Sequence, residues 1–381
     1  MISKFLLAVG LAVVMVATSV SSYVYLGSRQ SKVAAPVQKP TAATPRAQAF
    51  VLPGTIYLAQ AGALYSFSAG RFHQLTSEAG WMQPALYPDG SHLVVVRRFA
   101  SYSDVYAMTP YGAVTAQLTD NAVSARNAWD IGANDWSFYP RLSPDQRTLW
   151  MSYDGPKIVG ANYFDVDLAV WALPLGASIR QGKAWTVANS YTGGDMQPVP
   201  VSGGIMYTKF SYDQNGNRVG QLWFTNRAGA AGRALTDTSA GCLEPSISPD
   251  GNTVAMICTY QKQVSYLTIA SWSGASLGPL QTVVKDQLVA EPIWAPDGSG
   301  IAYLAPGGPA APFQLWWLPR NAYAPPAPSP IPTPSPTPGG PHNGPLPTPA
   351  PSAAPVAPVV KPIQITANLG FDATSPLAWS G

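Results

Sequence analysis

The chain has 381 residues, a formal net charge of +3, and only 11% Asp, Glu, Lys and Arg, under half the ~25% usual for a soluble domain. Lys plus Arg number 22 against 19 for Asp plus Glu, too small an excess for a nucleic-acid binder, which carries a basic face or basic runs. Glu occurs only at Glu78, Glu244 and Glu291, whereas there are 12 Trp, 18 Tyr and 39 Pro. That balance points to strands rather than helices, and three His with two Cys are too few for a His/Cys metal site. Neither a metal nor a cofactor is expected.

Residues 1–30 read as a membrane anchor or a signal peptide. The run from Phe5 to Gly27 is apolar apart from Thr18, Ser19, Ser21 and Ser22, and about 20 such residues cross a bilayer as a helix. An uncleaved anchor is the first reading, because the apolar run continues through Tyr23, Val24, Tyr25 and Leu26. Cleavage near the small residues around Ser19 to Ser22 is the alternative. Either way the rest of the chain is expected outside the cytoplasm. Residues 31–53, rich in Ala, Pro, Thr and Gln, read as a flexible tether.

From residue 54 onward the chain repeats itself. A Pro, three residues, then Pro-Asp-Gly and an apolar run recur at Pro84–Gly90, Pro140–Gln146, Pro245–Gly251 and Pro292–Gly298. A degenerate copy runs from Pro198 to Gly204, and a truncated one from Pro376 to Gly381. The motif specifies a tight hairpin: Pro presets φ, Asp caps the turn, and Gly takes the left-handed position. Two further strand-like runs lie between copies, such as Val105–Met108 and Leu222–Thr225, and the last often ends in Leu-Thr or Ile-Thr, as at Leu75-Thr76, Leu118-Thr119, Leu235-Thr236 and Ile365-Thr366. Four strands per repeat is a propeller blade.

The leading prolines are spaced by 56, 58, 47, 47 and 84 residues. The last interval holds a stretch from Pro325 to Pro362 with 16 Pro in 38 residues; removing it restores the period. Six copies predict an all-β, six-bladed propeller of four-stranded blades. The sixth copy supplies only one strand, Ser375 to Ser380, and three more are available at Thr55–Leu58, Ala63–Phe67 and Arg71–Thr76. The last blade is therefore expected to close from one C-terminal and three N-terminal strands, leaving no free edge. The repeat resembles that of the TolB-like (PD40, WD40-like) propellers over residues 54–381, apart from a Pro-rich insert at 324–362. That family usually carries Trp-Ser before Pro-Asp-Gly; here Trp294 and Trp379 keep the Trp, while Ser143, Ser248 and Ser380 keep the Ser. The resemblance implies the fold and suggests a protein partner in the cell envelope; the fold itself hosts unrelated activities.

The face bearing the blade-to-blade connections and the loops between second and third strands is here called the top. Three long segments fall on it: Asn121 to Tyr139, with Trp129 and Trp136, then Asp154 to Phe164 and Tyr212 to Arg218. Long aromatic loops on a rigid scaffold are where binding resides, although Trp129 and Trp136 serve equally well to cover gaps between blades. The residue before each leading Pro starts an innermost strand near the channel mouth: Gln83, Tyr139, Gln197, Glu244, Glu291 and Ser375. Such a polar ring suits a cation, a peptide terminus or a sugar, and is also what a water-filled channel edge requires. The Pro-rich insert reads as a spacer leaving the bottom face.

No Gly-x-Ser-x-Gly elbow, P-loop or His-Glu-x-x-His is present. Cys242 and Cys258 flank the turn at Pro249-Asp250-Gly251. A three-residue loop brings them opposite one another, whereas a two-residue turn leaves them one out of register unless a bulge intervenes. A structural disulfide is expected outside the cytoplasm. The sequence thus supports an exported, membrane-tethered binding or scaffold module without catalysis, whose partner is an envelope protein or peptide and not a nucleic acid. The alternative is an enzyme acting on polysaccharide through Glu244 and Glu291.

Overall fold

The computed structural model describes residues 51–122, 132–155, 167–260, 264–285, 287–324 and 360–381. The N-terminal segment, most of the tether, Trp129 and most of the Pro-rich insert lie outside them. Among the described residues no helix is long and apolar enough to cross a membrane; helix is limited to two 3-10 turns, Ile179–Gln181 and Arg320–Ala322.

Each repeat forms one four-stranded antiparallel sheet, giving six blades. Blade one comprises Trp81–Leu86, Leu93–Arg98, Ser103–Met108 and Val114–Gln117; blade two Ser137–Leu142, Thr148–Tyr153, Ala169–Pro174 and Lys183–Ala184. Blade three comprises Asp195–Val201, Gly204–Tyr212, Arg218–Thr225 and Arg233–Ala234; blade four Cys242–Ile247, Thr253–Cys258, Tyr266–Ser271 and Gln281–Val284. Blade five comprises Ala290–Trp294, Gly300–Pro306, Phe313–Pro319 and Ile363–Gln364, so the Pro-rich insert separates its third and fourth strands. Blade six joins Ala378–Ser380 to Thr55–Gln60, Ala63–Ser68 and Arg71–Gln74, the closure that the repeat count predicts. The closing strand is shorter than Ser375–Ser380, pairing Ala378 with Tyr57, Trp379 with Ile56 and Ser380 with Thr55.

Second strands are apolar at successive positions because a blade is covered on both faces. Leu93 and Val95 pack towards blade six, Val94 and Val96 towards blade two. Ile301 and Tyr303 likewise face blade four, while Ala302 and Leu304 face blade six. The buried apolar side chains fall into six clusters, one per blade interface. Each fully buried aliphatic side chain contributes about 1.5–3 kcal/mol. The packed unit already includes Leu52, which is buried, and Pro53, whose carbonyl accepts from Trp379 Nε1 at 2.7 Å. Gly54 sits at φ +66°, and a Cβ there would run into the Ser380 carbonyl, so this crossing point requires glycine.

The recurrent Thr has a local purpose. The hydroxyls of Thr76, Thr119, Thr186, Thr236 and Thr366 accept from the third-strand amides of Leu64, Val105, Val170, Leu222 and Leu315 at 2.9–3.1 Å. They satisfy backbone donors where the short outer strand has ended.

Cys242 and Cys258 are joined in a disulfide; the turn is neither of the two considered above, being a loop over residues 249–252, and a bulge brings the two Cys opposite one another. In the hairpin Ile247 pairs with Val254 and Ser246 with Ala255, one residue out of step with Cys242 opposite Cys258; a bulge between Leu243 and Ser246 restores the register. The bridge spans 16 residues of chain. Cross-linking a loop of that length stabilises by roughly 3 kcal/mol in the chain-entropy view. Cys242→Ser with Cys258→Ser is therefore expected to lower stability by about 2–4 kcal/mol, read from urea unfolding; a change under about 0.5 kcal/mol would show that the bridge adds nothing to the paired strands.

Candidate functional site

The inner strands share a feature that builds the site. Gln83, Tyr139, Gln197, Glu244 and Glu291 all stand at φ between +50° and +57°. Each lies in a register shift between inner and second strands, flanked by Met82/Ala85, Phe138/Arg141, Met196/Val199, Leu243/Ser246 and Ala290/Ile293. The left-handed region costs a non-Gly residue about 1–2 kcal/mol, and the following Pro already disfavours the right-handed helical basin. A bulge leaves a residue without its ladder partner and redirects its side chain.

The freed amides are satisfied from the neighbouring blade. Gln83 N donates to Ser375 Oγ at 2.7 Å, and Tyr139 N to Gln83 Oε1 at 2.7 Å. Glu244 N donates to Gln197 Oε1 at 3.1 Å, and Glu291 N to Glu244 Oε2 at 2.6 Å. The side chains of Ser375, Gln83, Gln197 and Glu244 thus reach forward to the amide of the next blade, forming a relay in two runs, one ending at Tyr139 and the other at Glu291. Gln197 Oε1 also accepts from Thr208 Oγ1 at 3.0 Å. At Glu291, the end of the second run, the residue is only 4% exposed and its Oε1 has no partner.

A cavity of about 410 Å³ runs along the inner strands, from Gln197, Glu244 and Glu291 to Pro88, Pro144, Pro249 and Pro296 at the hairpin turns. Its walls are apolar, with Leu142, Val199, Ile247, Ile293 and Leu377, and carry one cation, Arg141. Gln83 and Tyr139 occupy equivalent ring positions, and neither lines this cavity. Burial pushes the Glu244 carboxyl up to about 7, against the lowering effect of the Glu291 amide. Burial first, and the Glu244 charge second, hold Glu291 well above the usual carboxylate range, with Arg141 opposing and Asp372 adding to the rise. Tyr139 is raised by burial and then by Glu291 and Glu244. Burial lowers Arg141 while Glu291 supports its charge. Both carboxyls are therefore held towards the protonated form.

On the top face Trp136 takes the second of the two roles open to it, covering a gap between blades. Its side chain is 6% exposed, stacked at 5.8 Å on Phe138 with the Arg98 guanidinium 5.8 Å from the ring, so it is packing and not a free binding aromatic. Its backbone is held by Asp154 Oδ1, which accepts from Trp136 N at 2.6 Å. Trp129 lies outside the described residues. The connection starting at Asn121 is clamped by buried Asp104, whose Oδ1 accepts from Thr119 Oγ1 and Asn121 N at 2.9 Å each. Burial pushes Asp104 up to about 6 despite these bonds. The Tyr212–Arg218 segment is an Asn/Gly hairpin closed on Asp213, whose Oδ1 accepts from Asn215 N and Asn217 N. Among the described residues no group of three or more His, Cys, Asp and Glu is arranged to hold a metal ion.

Sequence reasoning placed the two Glu together and missed Arg141. The signal was present: the position after each leading Pro holds Ala85, Arg141, Val199, Ser246, Ile293 and Leu377, and Arg141 is the one charged residue among them.

No family model matches the sequence, and no curated protein does. Solved structures do resemble it. TolB from Acinetobacter baumannii superposes with a TM-score of 0.51 at 15% identity, over 71% of this chain and 62% of that chain. Hydrazine synthase from Kuenenia stuttgartiensis superposes with a TM-score of 0.50 at 12% identity, over 70% of this chain and 43% of that one. The matched region is thus under two thirds of the length of either. At these identities the likeness establishes the fold, a six-bladed propeller, and says nothing of the chemistry.

Proposed function

We propose that this TolB-like propeller is a non-catalytic protein-binding module of the cell envelope, exported and held to the membrane by its N-terminal segment. The partner, an envelope protein or peptide, engages the ring of Gln83, Tyr139, Gln197, Glu244 and Glu291, with Trp129 on the neighbouring top-face connection. One observation carries the reading: Gln197 and Glu244 each give an oxygen to the backbone amide of the next blade, whereas the buried Oε1 of Glu291, a residue that lines the channel, has no partner. A buried acceptor without a partner costs about 1–3 kcal/mol, a cost that a ligand donor removes. The disulfide supports export, since such bridges persist in oxidising compartments. The apolar run from Phe5 to Gly27 supports the tether.

The test uses the full chain in mild detergent as bait on envelope extract, with retained proteins identified by mass and released sugars assayed. A retained protein that is lost at least tenfold with Trp129→Ala or Glu291→Gln is the expected result. Sugar release abolished by Glu291→Gln, with no retained protein, would replace this reading by the polysaccharide-active one, in which the raised carboxyls do acid–base work.

A further inference from the structure

Resting on the reading of the propeller as a binding module, we propose that the carboxylate end of the channel binds a primary ammonium group on an alkyl stem, with Glu291 Oε1 as its main acceptor. Three features of the cavity point there.

The first is the donor–acceptor balance. Glu291 Oε1 is buried and unpartnered, and Glu244 commits only Oε2 to the relay. The polar end of the cavity therefore offers carboxylate acceptors, and an ammonium brings donors only. The second is charge. When ionised, Glu244 and Glu291 carry two negative charges against one positive on Arg141, whose Nη1 donates to the Pro140 carbonyl at 3.0 Å. A further cation offsets that negative excess, to which nearby Asp372 adds. The third is the wall: Leu142, Val199, Ile247, Ile293 and Leu377 surround the path to the carboxylates, which suits methylenes better than a hydrated ion.

A divalent metal fits less well. Calcium takes six to eight oxygens and magnesium near-octahedral geometry, and no cluster of three acidic, His or Cys side chains exists among the described residues.

The groups facing the pair are Arg141 from blade two, Asp372 ahead of blade six, and Tyr139 at the ring. Burial keeps the two carboxyls protonated towards neutrality. An ammonium must expel those protons, so its affinity rises with pH.

The experiment titrates the full chain in mild detergent with n-butylammonium chloride at pH 6.5 and 8.0, in two buffers of different ionisation enthalpy. Saturable binding is expected, several-fold tighter at pH 8.0, with net proton release at pH 6.5 and at least tenfold weakening in Glu291→Gln. Nα-acetyl-lysine amide and alanine amide then separate a side-chain from a chain-terminal ammonium as the source. No saturable binding, or equal affinity in a folded Glu291→Gln, overturns the proposal. So does calcium binding at the same carboxylates without butylammonium binding. If Glu291→Gln does not fold, proton release by the wild type decides, and none released overturns it. Retention of an envelope protein by a chain that ignores butylammonium would sink this inference and leave the binding module standing.

Discussion

Deleting residues 376–381 is expected to abolish the cooperative unfolding transition of the propeller. Those six residues contain the inner strand of blade six, Ala378–Ser380, and they bring apolar side chains to both of its sides. Leu377 and Trp379 pack with Leu304, Trp317 and Phe371, while Ala378 packs with Tyr57 and Trp81. Trp379 also meets Trp317 edge-on at 5.6 Å and donates to the Pro53 carbonyl. Truncating one buried Trp costs about 3–5 kcal/mol, so Trp379→Ala alone is expected to consume a large part of the 5–15 kcal/mol typical of a domain. The deletion adds the loss of Leu377 and exposes the Thr55–Gln60 edge. Urea unfolding followed by Trp fluorescence measures both; a truncated chain retaining a transition within about 1 kcal/mol of the full chain would mean that closure contributes little.

Stability is expected to fall as pH rises through neutrality, and Glu244→Gln with Glu291→Gln to flatten that fall. The folded Glu244 carboxyl is raised to about 7 from a reference of 4.5. Between those values the folded state holds the proton that the unfolded chain releases. The contribution is complete below about pH 4.5 and disappears as pH rises through about 7. Glu291, raised further by burial and by Glu244, acts in the same direction and extends the loss above neutrality. Asp104, at about 6, adds to it but is untouched by the Gln variants. At the acid end the sign reverses. Asp89, Asp145, Asp250 and Asp297 accept hydrogen bonds within their turns, which lowers their carboxyls. Their protonation weakens the hairpins as pH falls below the ordinary carboxylate range. Melting curves from pH 4 to 9 decide the matter: the double variant should match the wild type near pH 4 and exceed it at pH 8. Equal slopes above pH 5 would show that these carboxyls are not held protonated by the fold.

Much of the architecture was readable along the chain. Pro-Asp-Gly with its flanking apolar runs defines a hairpin within about fifteen residues, and the spacing of the copies counts the blades. The insert declares itself by composition. The unfinished copy at Pro376 and the three spare strands from Thr55 to Thr76 identified the shared blade, because each incomplete half supplies the edge that the other lacks. All of these rest on turn chemistry and strand periodicity, which act between near neighbours in sequence.

The site was legible only as a list of positions. That Gln83, Tyr139, Gln197, Glu244 and Glu291 adopt left-handed backbone depends on bulges, and the bulges arise where a twisted inner strand meets both its own blade and the next. The relay from Glu244 Oε2 to Glu291 N joins residues 47 apart, and that from Ser375 Oγ to Gln83 N joins residues 292 apart. Nothing local marks such pairs. The same holds for Trp136, which looks like a binding aromatic in a long loop and is buried by Phe138 and Arg98. It holds for the disulfide too, whose register is set by the bulge beside Glu244. The sequence by itself determined the blades, their number and their order. Only the closed ring decided which side chains face the channel, because that depends on how six blades tilt against one another, and so left Glu291 with an oxygen to spare.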